Sequence, residues 1–173
     1  MNISRRTVVV AAAAVVVAGL AIPVSAYVVI PQFVRHRVVE SAPAAVVHEA
    51  PTPGTAATPA PPETTRTLAA GDLRRVSAVD FGSGRVTLLQ VGDRRFLRFE
   101  NVEIAGAPAQ HVYLSDRTDG QPGTFTDLGS LKATNGSFNY EVPPTVDLAA
   151  VRSVVSWCQQ FKTTVTFAVL QPA

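Results

Sequence analysis

The 173-residue chain holds one thiol, Cys158, which directly follows the only tryptophan, Trp157. A free thiol packs as a small hydrophobe when buried, and it reacts when a positive or polar neighbour stabilises its thiolate. Arg152 and Lys162 are the nearest cations in sequence. Unpaired cysteine is unusual in exported proteins, so three roles stand open: a buried structural thiol, a redox-reactive thiol, or one half of a disulfide joining two copies. Other redox chemistry is poorly provided for. A c-type haem needs two Cys and a His, and an iron–sulfur cluster needs four Cys. A blue-copper site needs two His, a Cys and usually a Met, whereas residues 68–171 hold one histidine, His111, and no methionine. No cofactor is evident. Haem held axially by His111 or Cys158 is the minor alternative, because a lone strand histidine more often serves as a hydrogen-bonded surface residue. Asp116, Asp119 and Asp127 read as solvated loop acids, since their spacing does not fit an EF-hand. No metal site or catalytic residue is assigned, and no nucleophile-elbow spacing suggests a hydrolase.

The elements that must position Cys158 read as strands. Arg85 to Val91 is followed by Gly92-Asp93, a hairpin signal, and then by Arg95 to Glu100 with Val102 and Ile104 beyond. His111 to Ser115 makes another strand. In the last segment Val165, Phe167 and Val169 alternate with Thr164, Thr166 and Ala168, a period of two that places the first set on one face. The same alternation puts Cys158, Ser156 and Val154 on one face and Trp157 and Val155 on the other. Residues 147–151 suit a short helical turn capped by Asp147, and Asn135-Gly136-Ser137 suits a tight turn, although it also satisfies the N-glycosylation pattern. Short strands with frequent turns predict an all-β, β-sandwich-like domain over residues 68–171.

Ahead of that domain the composition changes twice. Residues 7–30 carry no ionisable group except the phenol of Tyr27. As a helix they rise about 36 Å, enough for a hydrocarbon core of roughly 30 Å. Arg5 and Arg6 favour a cytoplasmic tail over residues 1–6, with the remainder outside the cytoplasm. The expectation is a single-pass transmembrane anchor. The alternative is a signal segment cleaved near Ala26, for which Ser4-Arg5-Arg6 resembles a twin-arginine start. Residues 31–67 are read as a linker, and its stretch from about Val38 to Arg66, with Pro43, Pro51, Pro53, Pro59, Pro61 and Pro62, as a semi-stiff stalk reaching up to about 90 Å. The domain itself is neutral, with ten basic and ten acidic residues in 68–173, so it offers no field for a phosphate backbone and nucleic acid is not an expected partner.

Several ordered motifs carry a family resemblance. Ala107-Pro108-Ala109-Gln110-His111-Val112-Tyr113-Leu114-Ser115, Leu128-Gly129-Ser130-Leu131-Lys132, Asn135-Gly136-Ser137-Phe138-Asn139-Tyr140, Val142-Pro143, Val146-Asp147-Leu148 and Ser153 to Cys158 are similar to the DM-thirteen domain, also called the electron-transfer DM-thirteen domain. The resemblance runs from about Gly71 to Leu170 and is of the membrane-anchored bacterial type. It implies a compact β-sandwich-like module of secreted and membrane-anchored proteins. It also implies a redox role resting on the Trp-Cys pair, here Trp157 and Cys158. Ala107 stands where the family usually has Gly, and the stretch after Phe161 is two residues longer than the family pattern.

The sequence therefore supports a membrane-anchored, extracytoplasmic domain with an electron-transfer-linked role through Cys158, whose expected neighbours are Trp157, Phe161 and His111. The rival is a cell-envelope binding or adhesion module in which Cys158 is inert core. The partners expected are the membrane, through residues 7–30, and an extracytoplasmic protein or redox partner. A disulfide-linked dimer is the further possibility the thiol opens.

Overall fold

The computed structural model describes residues 36–43 and 64–173. The tail over 1–6, the anchor or signal segment over 7–30 and the cleavage position near Ala26 lie outside those residues. Among the described residues no helix is long and apolar enough to cross a membrane.

Among the described residues eleven strands follow in order: β1 Arg37–Val39, β2 Thr65–Asp72, β3 Arg74–Arg75, β4 Gly82–Val91, β5 Arg94–Ile104, β6 Gln110–Ser115, β7 Phe125–Ser130, β8 Asn135–Val142, β9 Ser153–Cys158, β10 Thr163–Val169 and β11 Gln171–Pro172. They form two sheets, β1-β8-β5-β4-β2-β11 and β3-β10-β9-β6-β7. The all-β, sandwich-like architecture expected from the alternation is the one observed. Gly92 takes φ of 55° at the first turn position between β4 and β5, where hairpin turns of this kind favour glycine.

The core lies between the sheets. Val86, Leu88, Leu97, Phe99, Phe138 and Tyr140 from the larger sheet meet Val112, Leu114, Val154, Val165 and Ala168 from the smaller. Phe99 and Phe138, directly paired across β5 and β8, stack with ring centroids 4.9 Å apart. Each such fully buried side chain contributes about 1.5–3 kcal/mol relative to exposure.

Three expectations need correction. The linker over residues 31–67 is not all linker: β1 pairs in parallel with β8, Arg37 opposite Asn135 and Val39 opposite Ser137, and β2 begins at Thr65. Side-chain bonds hold β1 in place. Glu40 accepts hydrogen bonds from the Asn139 amide N–H (2.8 Å), from Asn139 Nδ2 (3.0 Å) and from Lys132 Nζ (3.2 Å), while Asn139 Nδ2 also donates to the Ser41 carbonyl (2.9 Å). No hydrophobic period announces a three-residue edge strand, and the prolines that follow it are the stronger sequence signal.

Asn135-Gly136-Ser137 is likewise no tight turn; it opens β8. Gly136 has φ of 112°, and a Cβ there would lie 1.9 Å from the Val38 carbonyl oxygen, so glycine is what lets β1 approach.

The third correction concerns β10. Register slips between Thr164 and Thr166, and Thr164, Val165, Thr166 and Ala168 are buried while Phe167 and Val169 face outward and are half-buried. The bulge, with Lys162 at φ of 50° just before the strand, lies where the chain exceeds the family pattern, and it parts buried Val165 from the face that Phe167 and Val169 share. Loop 116–124 covers the outward Phe167, with Gly120 against its ring.

Candidate functional site

Cys158 ends β9, a strand that its β-branched Val154 and Val155 favour. Pairing with β6 sets Gln110 opposite Cys158 and His111 opposite Trp157. Cys158 and Gln110 therefore point between the sheets, and His111 and Trp157 point to the outer face; the opposite facing of Cys158 and Trp157 is what the alternation of β9 predicted. The thiol is fully buried, and its Sγ donates to the Pro108 carbonyl at 3.1 Å.

Residues 105–109 form a roof over the sulfur. Ala109 takes φ of 46° to turn the chain into β6, and its carbonyl accepts the Gln159 N–H at 3.0 Å. Gln110 fastens the roof from below: Nε2 donates to Ser156 Oγ at 2.8 Å, and Oε1 accepts the Ala107 N–H at 3.0 Å. A cleft of about 310 Å³ lies outside the roof, lined by Gly106, Ala107, Ala109, Gln110, Lys132 and Thr134 among others, and Cys158 does not line it. Sequence reasoning missed Gln110. Its signal was a polar residue at an inward strand position, where a buried amide must find partners.

The other expected residues do not gather around the sulfur. Trp157 is half-buried on the outer face, and Phe161 is 48 % exposed on the turn between β9 and β10. Arg152 precedes Ser153 and so sits at the opposite end of β9 from Cys158. His111 Nδ1 lies 2.8 Å from Asp127 Oδ2, and its Nε2 lies 3.3 Å from Ser130 Oγ. His111 is thus oriented by Asp127 and Ser130, and the Cys158 thiol faces Pro108.

Ser130, His111 and Asp127 stand in the order of nucleophile, base and orienting acid, an alignment that sequence spacing did not reveal. Acyl transfer also needs amide donors for an oxyanion. The flanking amides are committed: Gly129 N–H donates to Asp127 at 2.7 Å and Leu131 N–H to the Gln110 carbonyl at 2.8 Å. The trio therefore works as a cross-strand brace between β6 and β7.

The remaining loop acids have separate partners. Asp116 accepts the Thr124 N–H at 2.9 Å, and Asp119 pairs with Arg117. Hydrogen bonds from Arg117 and from the Gln121 N–H lower the Asp119 carboxyl to about 2. Among the described residues no three His, Cys, Asp or Glu side chains converge as a metal site.

A model of one protein family, described as electron transfer DM13, matches residues 76–170. The chain belongs to the DM13 family. The match takes in β4 through β10, and so includes the Cys158 roof and the crossings between the sheets from β5 to β6, β7 to β8 and β8 to β9, while β1, β2, β3 and β11 lie outside it. Membership links the DM13 domain to an electron-transfer-related role. No curated protein and no solved structure matches the chain.

Proposed function

We propose that the chain is held in the cell membrane by residues 7–30 and carries its DM13 domain outside the cytoplasm. There it serves an electron-transfer assembly as a non-catalytic docking module. The redox centre belongs to the partner, and Cys158 is a structural thiol. The observation that carries this reading is the sealed sulfur: full burial, a hydrogen bond to Pro108 and a roof pinned by Gln110. Thiol–disulfide exchange requires a thiolate to reach the partner sulfur, and a bond between two copies requires two sulfurs about 2.05 Å apart. Both require residues 105–109 to lift, which leaves the disulfide-linked dimer without support.

Thiol labelling of the native full chain, with and without denaturant, tests the reading. Cys158 should stay unlabelled until the domain unfolds. Rapid labelling of the folded protein near neutral pH overturns the structural role and restores Cys158 as the reacting atom. In parallel, Cys158→Ser should lower unfolding stability by about 1–3 kcal/mol, because a hydroxyl replaces a near-apolar group in the core. Unchanged urea unfolding with loss of partner-dependent electron transfer would count for the redox-thiol reading instead. The mass of the mature protein separates an anchor from a signal cleaved near Ala26.

A further inference from the structure

β1 enters the domain at a fixed place. The His36 N–H donates to Thr134 Oγ1 and the Thr134 N–H donates to the His36 carbonyl, both at 3.0 Å. Thr134 belongs to the crossing from β7 to β8, and the crossing from β5 to β6 lies at the same end of the sandwich, where the Ile104 N–H donates to the Thr134 carbonyl. Residues 31–35 separate His36 from the apolar run over 7–30. Five residues reach at most about 17 Å. The headgroup layer on one side of a bilayer takes roughly 5–8 Å of that. A chain anchored by its apolar run therefore holds this end of the sandwich against the membrane surface.

The same end exposes apolar side chains. Val76 (46 %) and Val79 (60 %) lie between β3 and β4, and Phe161 (48 %) lies between β9 and β10. β3 is antiparallel to β10, with Arg74 opposite Phe167 and Arg75 opposite Thr166, so the chain leaving β3 heads toward Thr163 and the Phe161 turn. Arg75 braces that connection by donating to the Ser77 and Ala78 carbonyls; Lys162 is exposed beside Phe161, and Arg37 is exposed at the same end on the opposite edge of the larger sheet. The acids toward this end are Glu103, Asp80 bonded to Ser77, Asp72 paired with Arg85, and Asp127 paired with His111.

We propose that this end of the domain is a docking surface for an anionic phospholipid headgroup layer. Val76, Val79 and Phe161 enter the boundary between headgroups and acyl chains, and Arg37 and Lys162 meet lipid phosphates. The inference rests on the membrane-anchor reading and adds an orientation to it: the Cys158 end faces the bilayer, and the β4–β5 hairpin at Gly92-Asp93 points away.

The test uses the full chain reconstituted in vesicles of phosphatidylcholine with phosphatidylglycerol. Val79→Cys, Phe161→Cys and Asp93→Cys are each labelled in the native state with an environment-sensitive nitrobenzoxadiazole dye, and the unsubstituted chain serves as blank for Cys158. Emission at positions 79 and 161 should shift to the blue and that at position 93 should not, and the shift should shrink in vesicles of phosphatidylcholine alone. Three equal, water-like spectra from chains that float with the vesicles overturn the docking surface and leave the anchor standing. A blue shift at all three positions overturns it as well, since that is adsorption without orientation. Chains that fail to float overturn the anchor and the docking surface together.

Discussion

Glu40 shows how one side chain can decide where a segment lies. Burial raises its carboxyl, and the Asn139 amide N–H, the Lys132 ammonium and the Asn139 side chain outweigh that effect, so the group sits below the ordinary value of 4.5. A carboxyl lowered in the folded state stabilises that state above its unfolded pKa, and the contribution disappears as pH falls through the folded value. Acidification below 4.5 should therefore loosen β1 while the sandwich stays closed. Hydrogen-exchange protection factors of the Glu40 and Asn139 amides, compared with that of core Val154, check this. Equal loss at all three sites would mean that Glu40 does not govern β1. At this scale the sequence was partly readable. The opposite facing of Cys158 and Trp157 followed from alternation, because β9 is a regular strand; which of the two faces is inward did not. The roof above it did not, because Ala109 in a left-handed conformation and Gln110 bonded across to Ser156 obey no period.

Regular elements were legible for the same reason. β4, β5, β6 and β9 carry β-branched or aromatic residues in register with the pleat, and each lies where the pattern placed it. Errors fell where a local irregularity overrode the period: the bulge that turns Phe167 outward, and β1, which is too short to show any period and is recognised by side chains of β8. Gly136 is the sequence signal for β1, read only once its φ of 112° and the Val38 carbonyl beside it are known. Gly136→Ala should displace β1, with strain of about 1–3 kcal/mol at a left-handed non-glycine residue. Limited proteolysis near Arg37 should accelerate while the melting of the sandwich changes little. A cleavage rate equal to that of the parent protein would remove Gly136 from this role.

Across the whole molecule, the location of the prolines changes meaning. Pro43 lines a surface cleft with Arg94, Phe96 and Glu141, and Thr65 pairs with Val91, so residues 44–63 begin and end at the hairpin end of one sheet, remote from His36. From β1 to β2 is four strand spacings, about 19 Å. Twenty residues exceed that span several-fold, and halving a flexible loop changes its closure cost by only about 0.6 kcal/mol. Removing ten residues from 44–63 should therefore leave both the melting temperature and the dye spectra at positions 79 and 161 nearly unchanged, whereas a stalk would draw the domain inward. The direction of β1 has a mechanical corollary. Tension between an anchored N-terminus and a partner gripping the distal hairpin loads β1 along its own axis, so its bonds to β8 resist together in shear and do not unzip one by one. When they yield, residues 36–64, with a contour of about 90 Å, join the tether at a force threshold and lengthen it by that contour less the span they bridge in the fold, while the sandwich itself remains folded.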